Sequence, residues 1–159
     1  MKTLIIYESA FGNTEKIAFA IRDAMSESGD AAAFRPEDVG NADIQDYDLI
    51  VVGSPTQKFR PLPGVISFLE MLPKNGLKEK KVAAFDTRVD LQKVNNRFLN
   101  FMVWIFGYAA GPIAKKLEAK GGTMVAPAEG FLVEDTKGPL RDGELQRAKE
   151  WSKKLIGKV

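Results

Sequence analysis

The sequence predicts an α/β domain in which a doubly wound, five-stranded parallel sheet carries helices on both faces. Apolar strand-like runs alternate with helical patterns along the chain, and such alternation builds a mostly parallel sheet because right-handed crossovers lay helices over both faces. The third run, residues 48–53, is almost continuously apolar, as a strand covered on both sides must be. A length of 159 residues fits one domain, 1–159.

Thr3-Leu4-Ile5-Ile6-Tyr7 is the first strand. Residues 15–28 place Ile17, Ala18, Ile21, Ala24 and Met25 at helical spacing, and Gly29 ends that helix. Residues 31–35 form a short second strand stopped by Pro36, and the third strand closes on Gly53. A helix at 65–72 is bounded by Pro63 and Pro73, and the fourth strand is 81–85. A helix at 113–120 has Pro112 at its start and Gly121-Gly122 at its end. The fifth strand begins at 123–126, is interrupted by Pro127 and resumes at 130–133. The last helix, 143–155, directs Leu145, Ala148, Trp151, Lys154 and Leu155 toward the core or its margin.

Composition excludes several chemistries. Hydrophobic residues make up 45% and charged residues 28%, an ordinary globular balance that can bury a core. With 0 Cys and 0 His there is no thiolate nucleophile, imidazole base or histidine-ligated metal, and no disulfide framework. Redox chemistry would therefore need a borrowed organic cofactor, and neither a catalytic residue nor a metal ligand is assigned. A net charge of +2 is too small and scattered to argue for nucleic acid. No signal-peptide pattern opens the sequence, and the expected location is cytoplasmic.

Between the first strand and its helix stands Ser9-Ala10-Phe11-Gly12-Asn13-Thr14-Glu15. A loop rich in hydroxyl and amide groups before a helix N-terminus is suited to an anion, because the first-turn N–H groups lack intrahelical acceptors and the helix dipole adds positive potential. The loop has no lysine and fits neither GxxxxGK[ST] nor GxGxxG, so one terminal phosphate suits it better than a triphosphate or pyrophosphate. Taken alone, the motif is also an ordinary capped helix with Asn13 or Thr14 as N-cap. A second small-residue loop, Gly53-Ser54-Pro55-Thr56, follows the third strand. In an open parallel sheet such loops gather at one edge, where ligands bind. A phosphoacceptor receiver domain shares this topology but would end the third strand in aspartate, where Gly53-Ser54 stands.

Together these two loops resemble the flavodoxin family, whose phosphate loop reads [ST]-x-[ST]-G-x-T and whose flavin loop often reads GSPT. The resemblance covers nearly the whole chain, with Phe11 where a hydroxyl residue is common and with a net positive charge where the family is usually acidic. It implies a flavodoxin-like sheet of order 2-1-3-4-5 and FMN as cofactor. Ser9, Phe11, Gly12, Asn13 and Thr14 would hold the phosphate, largely through backbone donors, and Ser54, Pro55, Thr56 and Gln57 would line one side of the ring. The loop after the fourth strand, with Thr87 and Arg88, would reach the pyrimidine edge. Phe59 is the aromatic available in the first flavin loop, and Lys58, Arg60 and Arg88 bring positive charge there. No glycine lies between Ser54 and Pro63, which predicts a loop less free to adopt positive φ. Gly138-Pro139-Leu140 with Gly143-Glu144, and Ala84-Phe85-Asp86-Thr87-Arg88, are similar to a group of poorly characterised flavodoxin-domain proteins.

The function implied is electron transfer between protein partners, and Lys58, Arg60 and Arg88 would attract an acidic one. Two alternatives stand beside it: an FMN-dependent oxidoreductase of NAD(P)H:quinone or protoporphyrinogen-oxidase type, and a cofactor-free binding module. The segment 89–111 is an apolar insertion where a plain flavodoxin needs a short loop. Its Phe98, Phe101, Trp104, Ile105, Phe106 and Tyr108 are expected to cover something: the flavin side, a dimer, a partner or a peripheral membrane surface.

Overall fold

The computed structural model describes residues 1–40, 44–91 and 96–159; residues 92–95 of the apolar insertion lie outside the described residues. Along the chain run β1 (Lys2–Tyr7), α1 (Asn13–Ser26), β2 (Asp30–Phe34), β3 (Leu49–Pro55), α2 (Pro63–Met71), β4 (Lys81–Val89), α3 (Arg97–Phe106), α4 (Ala110–Ala119), β5 (Thr123–Met124), β6 (Glu129–Val133) and α5 (Glu144–Ile156). The strands form one sheet in the order β2-β1-β3-β4-β5, with β6 also on β4, and every named pairing is parallel. This is the expected order, with the fifth position split in two on either side of Pro127.

Strand side chains alternate between faces, so β1 feeds two cores. Ile5 and Tyr7 join the layer covered by α1 and α5, with Ile17, Ile21 and Trp151. Leu4 and Ile6 join the layer covered by α2 and α4, with Val65, Leu69, Ile113 and Leu117. Phe85, Phe131 and Trp151 meet edge-on with centroids 6.0 to 6.3 Å apart. Gly53 faces this trio, and a Cβ there would lie 2.1 Å from the Phe85 ring. The glycine that ends the apolar run of β3 is thus required by the bulk of its neighbour.

Several expectations are corrected. α1 starts at Asn13 with Gly12 as N-cap, not with Asn13 or Thr14 in that position; the chain turns there through φ 87°, which favours glycine. β4 does not stop at Phe85 but runs to Val89, because β6 supplies a parallel partner from Phe85↔Glu129 to Val89↔Val133. Asp86, Thr87 and Arg88 are therefore strand residues rather than loop residues. In α5, Ala148, Trp151 and Leu155 are buried but Leu145 is exposed. α3 does not pack into either core. Phe98, Phe101, Trp104, Ile105 and Phe106 are all exposed, Trp104 to 80%, and no residue of this helix is buried.

Candidate functional site

The carboxyl ends of β1, β3 and β4 open onto a cleft of about 530 Å³. Its walls bring together Ser9, Phe11, Asn13, Thr14, Pro55, Thr56, Gln57, Lys58, Phe59, Thr87 and Arg88, which are eleven of the thirteen residues expected at the site. Gly12 and Ser54 are absent from the lining. Gly12 contributes backbone only. Ser54 is buried, and its hydroxyl accepts from the Leu62 N–H at 2.8 Å and donates to the Pro55 carbonyl at 3.0 Å. It holds the 55–62 loop in shape instead of facing the cleft.

The anion end of the cleft lies at the start of α1. No side chain caps this helix, so the first-turn N–H groups keep their need for an acceptor. The Gly12 N–H donates to Ser9 Oγ at 3.0 Å, which fixes the loop and leaves the Ser9 hydroxyl proton free to donate. A Cβ at Gly12 would meet nothing within 4 Å, so space for an anion is present beside the backbone. The Asn13 amide donates to the Lys137 carbonyl at 3.1 Å; it ties down the segment after β6 in addition to facing the cleft. Thr14 and Thr87 hydroxyls lie 2.7 Å apart, both buried, joining α1 to β4 beneath the cleft floor.

Phe59 on one loop and Tyr108 at the end of the insertion both line the cleft. Tyr108 belongs to the apolar insertion, and neither loop motif signals it as a site residue. Gly107, at φ 69°, ends α3 and turns the chain back so that Tyr108 reaches the cleft. Lys58 and Phe59 both take positive φ, 47° and 65°. The loop thus adopts positive φ without a glycine, at two adjacent residues. The turn is closed by two backbone bonds, Arg60 N–H to the Gln57 carbonyl at 2.9 Å and the reverse at 3.0 Å, the pattern of a tight two-residue hairpin.

Arg88 does not offer a free charge to the cleft. Its guanidinium donates to both oxygens of Asp86 at 2.5 and 2.6 Å and lies 3.7 Å from the centre of the Tyr108 ring. Asp86 is fully buried, and its carboxylate also accepts from the Ala110 N–H at 2.8 Å and from Thr56. Burial pushes the Asp86 carboxyl above its ordinary value, while Arg88 pulls it the other way. Burial likewise raises the Tyr108 phenol, which is a neutral hydroxyl at neutral pH. Thr56 Oγ1 accepts the Ala109 N–H at 2.9 Å. Asp86, Arg88 and Thr56 thus anchor residues 108–110, and through them Tyr108, to the end of β4. Arg60 lines a neighbouring groove and not this cleft.

An open parallel sheet with an uncapped helix N-terminus and a cleft at the carboxyl ends of its strands defines a doubly wound α/β protein, a class whose ligand sites lie at such edges. The chain belongs to the flavodoxin domain family, whose model matches residues 4–126. It is similar in structure to a flavodoxin from the domain Archaea, with a TM-score of 0.75 and 25% identity over 99% of this chain and 98% of that one. Oxidised flavodoxin 1 from Bacillus cereus superposes with a TM-score of 0.78 at 18% identity, covering 100% and 99%. Rubredoxin oxygen:oxidoreductase from Desulfovibrio gigas matches at 0.72 and 21% identity over 99% of this chain but 36% of its own. The last two likenesses speak for the fold, which is flavodoxin-like.

Proposed function

We propose that this chain binds FMN in the cleft and carries electrons between protein partners in the cytoplasm. The observation that carries the reading is the convergence of an uncapped helix N-terminus and an aromatic-walled slot in one cleft of about 530 Å³. That volume lies within the range of about 300–1,000 Å³ used by small-molecule sites. Ser9, Gly12, Asn13 and Thr14 would hold the phosphate; Phe59 and Tyr108 would flank the ring, with Pro55, Thr56 and Gln57 along one side and Thr87 at its polar edge. FMN supplies one- and two-electron redox chemistry when bound. The residues around it bind, orient and exclude water, in keeping with a carrier that provides no acid or base of its own.

Because Arg88 is paired with Asp86, Lys58 is the cleft cation that makes no ion pair among the described residues. An acidic partner meeting Lys58 and Arg60 suits this edge.

Titration of the purified protein with FMN, followed by flavin fluorescence, tests the reading. Saturable quenching with one FMN per chain is expected, and a folded protein that takes up no flavin would overturn it. Gly12→Val should weaken FMN binding and destabilise the protein by about 1–2 kcal/mol, since a non-glycine residue must then hold a left-handed φ. The strain, rather than a clash, is the cause, because the position is open. Turnover of NAD(P)H with a quinone far above the rate of free FMN would favour the oxidoreductase reading instead.

A further inference from the structure

A second cavity lies beside the cleft, about 610 Å³ in volume, between α2, α3 and α4. Its floor is apolar, with Ile66 from α2 and Ile113 from α4, and its roof is Met102 and Phe106. Those two roof residues are four apart and so share one stripe of α3. Trp104 and Phe101, which stack at 6.1 Å, point elsewhere and are exposed. Three cations, Lys58, Arg60 and Lys116, line the groove, and none of its lining residues is acidic. Lys116 reaches Glu70 at 3.1 Å in an exposed pair; neither Lys58 nor Arg60 makes an ion pair among the described residues.

We propose that this groove binds a small anionic amphiphile, a carboxylate with a long apolar body, its head at Lys58 and Arg60 and its body between α2, α4 and α3. Charge complementarity selects the head. Lys58 and Arg60, two residues apart in one turn and without an ion pair among the described residues, repel one another, and an anion relieves that repulsion while gaining charge-assisted hydrogen bonds. The body is selected by apolar walls, whose removal from water is favourable. The groove is concave and bordered by three helices, which fits a single molecule better than a flat bilayer. Phe59 contributes to both cavities, so an occupant of the groove touches the same strained turn that walls the cleft.

The test is calorimetric titration of the full chain with dodecanoate, below the concentration at which it aggregates. Dodecyltrimethylammonium serves as the cation of equal length, and phosphatidylglycerol vesicles as the lipid surface. The measurement is made with and without FMN. We expect one dodecanoate per chain, the cationic analogue at least tenfold weaker, and no dependence of protein sedimentation on vesicles. Ile66→Trp, which fills the floor, should weaken dodecanoate at least tenfold, and Arg60→Glu, at an exposed position, several-fold; circular dichroism checks that each variant is folded. Equal binding of the two amphiphiles, absence of saturable dodecanoate binding, affinity unchanged in both variants, or capture by vesicles without dodecanoate binding would each overturn the proposal. Dodecanoate binding by a protein that takes no FMN would leave the groove assigned and remove the flavin reading, so the two fail separately.

Discussion

Asp86 shows how one side chain ties the cleft to the chain beyond it. Fully buried, it receives Arg88 on both oxygens and the first backbone donor of α4. Its folded value lies above the ordinary 3.8 because desolvation outweighs the pull of Arg88. A raised folded value means that the folded state holds the proton where the unfolded state has lost it. The contribution to stability is complete below pH 3.8 and declines as pH rises through the folded value. Wild type should therefore lose stability relative to Asp86→Asn as pH climbs from 3.8, read by urea denaturation at a series of pH values. Carboxyl carbon NMR should place the Asp86 midpoint above 3.8, and Arg88→Ala should move it higher still. A wild-type midpoint at or below 3.8 would contradict the dominance of burial.

At the scale of elements, α3 is, among the described helices, the one with no buried residue of its own. Its start is nevertheless well specified: Asn96 Oδ1 accepts from the Phe98 and Leu99 N–H groups at 3.0 and 3.3 Å. Because tertiary packing contributes so little, the cap should matter more here than in a helix pressed on the sheet. Asn96→Ala should cost about 0.5–2 kcal/mol of local helix stability. Hydrogen exchange should show the Phe98 and Leu99 amides losing protection while the β3 amides keep theirs. Equal protection in the variant would mean that something other than the cap holds the helix.

For the whole molecule, the two cores on opposite faces of the sheet stand apart from the cleft edge, which is built of loops and strand ends. A ligand seated at that edge binds the folded state alone, so it stabilises the protein by mass action without changing the cores. On the FMN reading, free FMN at one hundred times its dissociation constant should add about 2.7 kcal/mol to unfolding. Thermal melts at increasing FMN should shift upward continuously, and a melting temperature indifferent to FMN would count against binding. Among the described residues no helix is long and apolar enough to cross a membrane.

Local signals determined a great deal. Strand and helix periodicity and the doubly wound parallel sheet were legible because period, chirality and short crossovers leave few arrangements, and the β2-β1-β3-β4-β5 order followed from the resemblance carried by the loops after β1 and β3. What tertiary structure decided depends on partners distant in the chain. β4 continues through polar Asp86, Thr87 and Arg88 because β6, some forty residues later, offers a ladder. Lys58 and Phe59 take positive φ without a glycine because paired backbone bonds and the surrounding loop hold the turn. Tyr108 enters the cleft because Asp86 and Arg88 fasten the chain beside it. The aromatics of α3 are exposed in the single chain: hydrophobicity states that burial would be favourable, and only the surrounding fold or a further molecule decides which surface receives it.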